Sequence, residues 1–155
     1  MNNLISALKT KFANGIDNWY DYFFSPFVDS VSALADTVGG RIYYGFADTN
    51  EYPRVVFHVI SAPKEKTFTE VYRNTLIQVD LFSAMSAGDT QIGQMYADLT
   101  ALLDECSLSI TGSTLVWCKE ENLVTLDEDL DEPLPDGSCG LYHWIADYEV
   151  RSSLN

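Results

Sequence analysis

The sequence predicts an α+β fold, in which an antiparallel sheet of four to five strands with a long hairpin carries helices packed on one face. Apolar residues recur at intervals of three and four through the first 38 residues and again between Ser86 and Asp104, which is the period of a helix. Elsewhere they alternate with polar residues, which is the period of a strand. Because the helices cluster instead of alternating with every strand, the pattern favours α+β over a parallel α/β sheet.

The first helical segment has a single apolar stripe. Its members are Leu4, Leu8, Phe12, Ile16, Trp19 and Phe23. Such a stripe is too apolar to remain in solvent, so we expect it to dock on its own sheet or on a neighbouring subunit. Ser25-Pro26 begins a second predicted helix, since serine caps helices and proline suits the first helical position, and Gly39-Gly40 ends it.

Five segments follow the period of strands. Strands are predicted around 41–46, 55–60, 70–82, 113–126 and 140–151. The second and third of them read as an extended hairpin. Both are apolar on both faces, which is more than one layer of helices covers, and this predicts oligomerisation. Between the hairpin and the fourth strand, Ser86 and Asp89 resemble a capping box for the last helix.

The composition excludes several classes of protein. Of the 155 residues 46% are hydrophobic and 13% aromatic, which excludes a disordered chain. The net charge of −14 argues against tight binding of phosphate or of anionic lipid. No apolar run approaches the roughly 20 residues that cross a bilayer, and the first residues do not resemble a secretory signal. Three widely spaced cysteines fit a reducing compartment.

No set of residues predicts catalysis, a cofactor or a metal. Cys139, His143 and Asp147 share one strand face, but four residues of strand span about 13 Å, too far for a nucleophile and its base or for two ligands of one metal. His58 lies in an apolar strand with no titratable group at a fixed spacing. We therefore expect structural roles for these side chains and predict that the protein is not an enzyme.

Acidic residues crowd the segment after the fourth strand. Asp127, Glu128, Asp129, Asp131 and Glu132 form its centre, and the segment is predicted to be a solvated, flexible loop up to Gly137. Alternate acids match the start of an EF-hand loop, but the required glycine and terminal glutamate are absent. A solvated loop, an acidic channel lining and an acidic partner surface remain open alternatives.

The order of these segments resembles the tail terminator (tail completion) proteins of long-tailed bacteriophages. The resemblance covers about residues 28–151. It rests on the Gly-Gly helix end, the segments Arg41-Ile42-Tyr43-Tyr44-Gly45 and Pro53-Arg54-Val55-Val56-Phe57, the strand ending Ile77-Gln78-Val79-Asp80-Leu81-Phe82, the helix from Asp89 and the closing Asp147-Tyr148-Glu149-Val150. It divides the chain into an N-terminal helical extension, 1–25, and one domain, 26–155.

This resemblance implies a structural protein without catalytic residues. It implies a homo-oligomeric, hexameric ring at the neck of the virion, assembled in the bacterial host cytoplasm. The ring would bind the tail tube protein, end tube polymerisation and join the tail to the head–tail connector protein. DNA would pass through the ring without specific binding, and six copies with about −84 formal charges would repel its phosphates.

Two other readings remain open. Another neck component, such as a head-closure or head–tail joining protein, is also small and ring-forming, and the N-terminal extension is the feature that leaves this choice open. A monomeric binding module would use the aromatic-rich sheet face for a small ligand or a peptide.

Overall fold

The computed structural model describes residues 1–14, 32–47 and 49–154. Three α-helices are present in these ranges: α1 (Asn2–Asn14), α2 (Ala33–Thr37) and α3 (Asp89–Leu103). The strands are β1 (Ile42–Tyr44), β2 (Arg54–Ser61), β3 (Lys64–Lys66), β4 (Val71–Ala84), β5 (Ser113–Asp129) and β6 (Gly140–Leu154). The α+β class predicted from the sequence is confirmed.

The strands form one six-stranded sheet in the order β1-β2-β4-β6-β5, with β3 paired to the first residues of β4. Two details of the prediction are wrong. The connection after Pro63 contains a sixth strand, β3, and β1 pairs with β2 in parallel, so the sheet is mixed. The long hairpin of β2 and β4 is antiparallel as predicted, and β6 lies between β4 and β5 along nearly its whole length.

The helices cover one face of the sheet and enclose the hydrophobic core. Leu4, Leu8 and Phe12 of α1 follow one another at intervals of four, so they share a stripe that is buried in this core. The ring of Phe12 lies 4.6 Å from that of Phe57 on β2. The strands contribute every second residue to the core, among them Tyr148, which is fully buried. Burial raises the pKa of the Tyr148 hydroxyl, and the charge of Glu120 adds to this rise.

Helix α2 begins and ends with well-defined caps. The backbone N–H of Ala35 donates to the Ser32 hydroxyl, which itself donates to the Phe12 carbonyl and so ties α2 to α1. After Val38 the chain turns through Gly39 and Gly40, both with positive φ, and the Gly40 N–H returns to the Ala35 carbonyl. The predicted helix start at Ser25-Pro26 lies outside the described residues.

Helix α3 has the predicted apolar stripe but not the predicted cap. A 3-10 turn occupies Met85–Ala87, and Gly88 with φ of 76° precedes the helix without a side-chain cap bond. The Ser86 hydroxyl instead donates to the Asp136 carboxylate at 2.5 Å, so this serine holds the loop before β6. Among the described residues, no helix is long and apolar enough to cross a membrane.

Candidate functional site

Within the described ranges, no helix covers the second face of the sheet. By strand register this open face receives Asp80 of β4, Leu126 of β5 and His143 of β6. Apolar side chains stay exposed beside these polar ones, including Trp117 at 37% and Val124 at 39%. Because sheets normally bury apolar side chains against another layer, the open face is a candidate for contact with another chain.

A polar cluster occupies one end of the open face, with His143 at its centre. The Nε2 atom of His143 lies 2.7 Å from Oδ1 of Asp80, and its Nδ1 atom lies 2.9 Å from Oε1 of Glu128. The imidazole ring stacks on Phe82, with 4.2 Å between the ring centroids. Asp80, Glu128 and His143 come from three strands, so the cluster joins β4, β6 and β5 side by side.

The two carboxylates favour the protonated form of this histidine. Burial disfavours the imidazolium, but the hydrogen bonds and charges of Asp80 and Glu128 outweigh it, so the pKa of His143 is raised. The protonated ring donates to both carboxylates at once. Asp80 is 6% exposed and also accepts from the Gln78 amide at 3.1 and 3.2 Å. Both ring nitrogens are engaged, which suits a structural role and leaves neither free to act as a base.

The trio of Cys139, His143 and Asp147 is not brought together. His143 finds its partners on other strands, while Cys139 is an exposed thiol. His58 lies on the same face with Nδ1 3.7 Å from Asp80, beyond hydrogen-bond distance. Burial, followed by the charge of Asp80, raises the pKa of Asp147. Across the described residues, no group of three or more histidine, cysteine, aspartate or glutamate side chains is arranged to hold a metal ion.

The acidic segment is partly strand and partly loop. β5 continues to Asp129, beyond its predicted end at Leu126, so Asp127, Glu128 and Asp129 are strand residues. Asp131 and Glu132 follow in the loop and are exposed. The loop is closed by backbone hydrogen bonds from Leu130 to Cys139 and from Leu134 to Ser138, both 2.8 Å.

One acid of this segment anchors the loop. The Asp136 carboxylate accepts from the Ser86 hydroxyl and from the Ser138 N–H, and these hydrogen bonds lower the pKa of Asp136. The acids thus have different surroundings: Glu128 contacts a histidine, Asp136 closes a turn, and the intervening acids face solvent.

The structure describes three of the six residues of the predicted docking stripe. Leu4, Leu8 and Phe12 lie in the core of their own chain, at 5%, 0% and 1% exposure. The rest of the stripe, Ile16, Trp19 and Phe23, lies outside the described residues.

Cations and aromatic rings alternate at the other end of the open face. The Arg151 guanidinium lies 4.4 Å from the Tyr72 ring centroid and 5.0 Å from that of Trp117. The Trp117 indole donates to Glu149, and Arg151 also pairs with Glu65 of β3 at 3.2 Å.

Sequence reasoning missed both this cluster and the one around His143. A lone carboxylate such as Asp80 within an apolar strand was the available signal, because a buried charge requires a partner.

Comparison with known proteins shows a shared fold. A solved chain of the virion of a native gene transfer agent particle aligns over 96% of this chain and 96% of its own, with a TM-score of 0.64 and 11% identity. A second solved chain aligns over 96% and 94% at 11% identity, but its TM-score of 0.48 is too low for any argument. No known protein family and no curated protein matches the chain. The chain therefore has the fold of a chain found in the gene transfer agent virion.

Proposed function

We propose that this protein is a structural component of a phage-like virion that acts as a tail terminator. In this role it forms a hexameric ring on the tail tube, ends tube polymerisation and joins the tail to the head connector. The observation that carries the proposal is the end-to-end fold likeness to a chain of the gene transfer agent virion. The order of segments that resembles tail terminator proteins supports it independently.

The surface chemistry of the described residues agrees with an assembly role. The open face exposes apolar side chains next to ion pairs, a mixture typical of protein interfaces. His143 has both ring nitrogens occupied by carboxylates, so neither is free to act as a general base. We therefore propose assembly and not catalysis.

The net charge supports passage of DNA without retention. A chain of −14 repels phosphate, and a ring multiplies that charge around its hole. Replacing Asp127, Asp129 and Asp131 with asparagine tests the role of the acidic segment. If these acids line the hole, the variant assembles and DNA ejection slows. If they contact a basic partner, partner binding weakens, and this loss shrinks as salt rises.

Electron microscopy and sizing test the ring. Six copies of a 17.4 kDa chain elute at about 100 kDa, and the subunit interface buries more than about 1,200 Å². Rings that cap isolated tail tubes of the same virus support the terminator, whereas rings that bind only the head connector favour another neck component. A protein that stays monomeric both alone and with tubes contradicts the proposal.

A further inference from the structure

The hairpin of β3 and β4 ends in a turn that displays one phenylalanine. The Thr67 N–H donates to the Glu70 carbonyl at 2.9 Å, and the Glu70 N–H donates to the Thr67 hydroxyl at 3.1 Å. Phe68 lies at the apex of this closed turn and is fully exposed. The turn therefore fixes the backbone that carries this aromatic side chain, which lowers the backbone part of the entropic cost of burying it against a partner.

Residues 64–73, which we call the hairpin tip, are positive on a strongly negative chain. Lys64, Lys66 and Arg73 outnumber the two acids of residues 64–73, and one of these acids, Glu65, is paired with Arg151. The charge of the hairpin tip is opposite to that of most of the surface.

A pocket with complementary character lies beside the acidic segment. Tyr52, Leu134 and Pro135 supply apolar walls. Glu51 and Asp136 supply two acids against the one cation of Arg41, so the charged walls are negative on balance. Its volume is about 280 Å³. A cavity of about 150 Å³ already holds a benzene ring, so a phenylalanine side chain has room here.

The two surfaces lie at opposite ends of the same strand. β4 runs from the hairpin tip at Val71 to the pocket at Ala84, and fourteen residues of strand extend over about 43 Å. One chain therefore cannot place its own tip in its own pocket. A contact between two different surfaces of identical chains is head-to-tail, and it closes into a ring when the rotation permits.

We propose that Phe68 of one copy inserts into this pocket of the next copy, with Lys64 and Lys66 facing the acidic walls and the neighbouring acids Asp131 and Glu132. The occupant is a second copy of this chain, because the apolar apex and its charges match a pocket that every copy carries. This contact rests on the proposed ring and identifies the surfaces that would form it.

Two complementary variants test the contact by sedimentation at concentrations up to about 1 mM, which populates even weak association. Phe68→Ser removes the tip anchor, and Leu134→Arg fills the pocket with a cation. Each variant alone stays monomeric. Their mixture retains one intact tip and one intact pocket, so it forms a pair of about 35 kDa and nothing larger. Phe46→Ser, at a site 78% exposed outside the pocket, is the matched control and assembles like the parent chain.

Each outcome has a distinct meaning. Melting temperatures equal to that of the parent chain show that the variants are folded. Parent rings that persist in Phe68→Ser overturn this contact while the ring stands, and if those rings no longer bind tubes, the tip belongs to the tube protein. A parent chain that stays monomeric throughout, and also on tubes, overturns the ring and this contact together.

Discussion

His143 makes a pH-dependent contribution to stability. His143→Gln removes the ring that bridges Asp80 and Glu128, whose atoms lie at 2.7 and 2.9 Å. Hydrogen bonds to charged groups contribute about 1.5–3 kcal/mol each, but the Glu128 side chain is 44% exposed, so its pair is worth about 1 kcal/mol or less. We expect a loss of about 2–3 kcal/mol near pH 6, or about 4–12 °C in melting temperature for a chain of this size.

The direction of the pH dependence follows from the raised pKa of His143. Its contribution is fully present below the pKa of about 6.5 in the unfolded chain and is lost as the pH rises through the higher pKa in the folded chain. The difference in unfolding free energy between parent and variant therefore shrinks from pH 6 to pH 9. Urea denaturation followed by tryptophan fluorescence at several pH values measures this difference.

Two controls separate the charge from the packing of the ring. His143→Phe keeps an aromatic ring against Phe82 but cannot donate to either carboxylate, so it loses the same pH-dependent part. His58→Gln alters the other histidine near Asp80, which makes no hydrogen bond to it, and produces a much smaller effect. A loss from His143→Gln that is constant between pH 6 and pH 9, or that grows with pH, would refute the reasoning.

Three further predictions concern the core, the thiols and a close contact. Phe12→Ala lowers the free energy of unfolding by about 3–5 kcal/mol in urea titrations, because the ring is 1% exposed; a loss below about 1 kcal/mol contradicts this packing. A thiol reagent modifies exposed Cys139 in the folded protein but reaches Cys118, 1% exposed, only on unfolding, so equal rates by mass spectrometry would be inconsistent with the fold. Gly140→Ala places a Cβ against the Met85 sulfur, and because the flexible, half-buried Met85 side chain can move aside, it costs only about 1 kcal/mol or less by thermal denaturation; a loss above about 3 kcal/mol would show that Met85 cannot move.

The spacing of apolar residues predicts most of the helices and strands, because burial of one face of each element imposes that spacing on the sequence. The stripe of α3 and the alternation of β6 both follow from a core on one side of the sheet. The strand predicted around 41–46 is confirmed as β1, but its parallel pairing with β2 is not evident from the sequence. The three-residue strand β3 is not evident either, because so few residues set no period and its pairing depends on β4. The strand end at Asp129 is missed because acids disfavour a strand locally, whereas pairing with β6 overrides that preference.

The candidate site is less accessible to sequence reasoning. His143 and Asp80 are 63 residues apart, and only the strand order places them side by side. The spacing of Cys139, His143 and Asp147 can be judged from the sequence, since that argument needs only the rise of a strand. The acidic segment is visible as composition, but the different surroundings of Glu128 and Asp136 depend on tertiary contacts.

The central position of β6 has a consequence for biosynthesis. Gly140–Leu154 fills the gap between β4 and β5, so a nascent chain on the ribosome cannot complete its sheet until these residues have emerged. Until then the inner edges of β4 and β5 are open, and such edges recruit strands from other chains. Mutual repulsion between chains of net charge −14 opposes that aggregation while synthesis continues. The acidity that would let DNA pass a finished ring would thus also protect each subunit before it has folded.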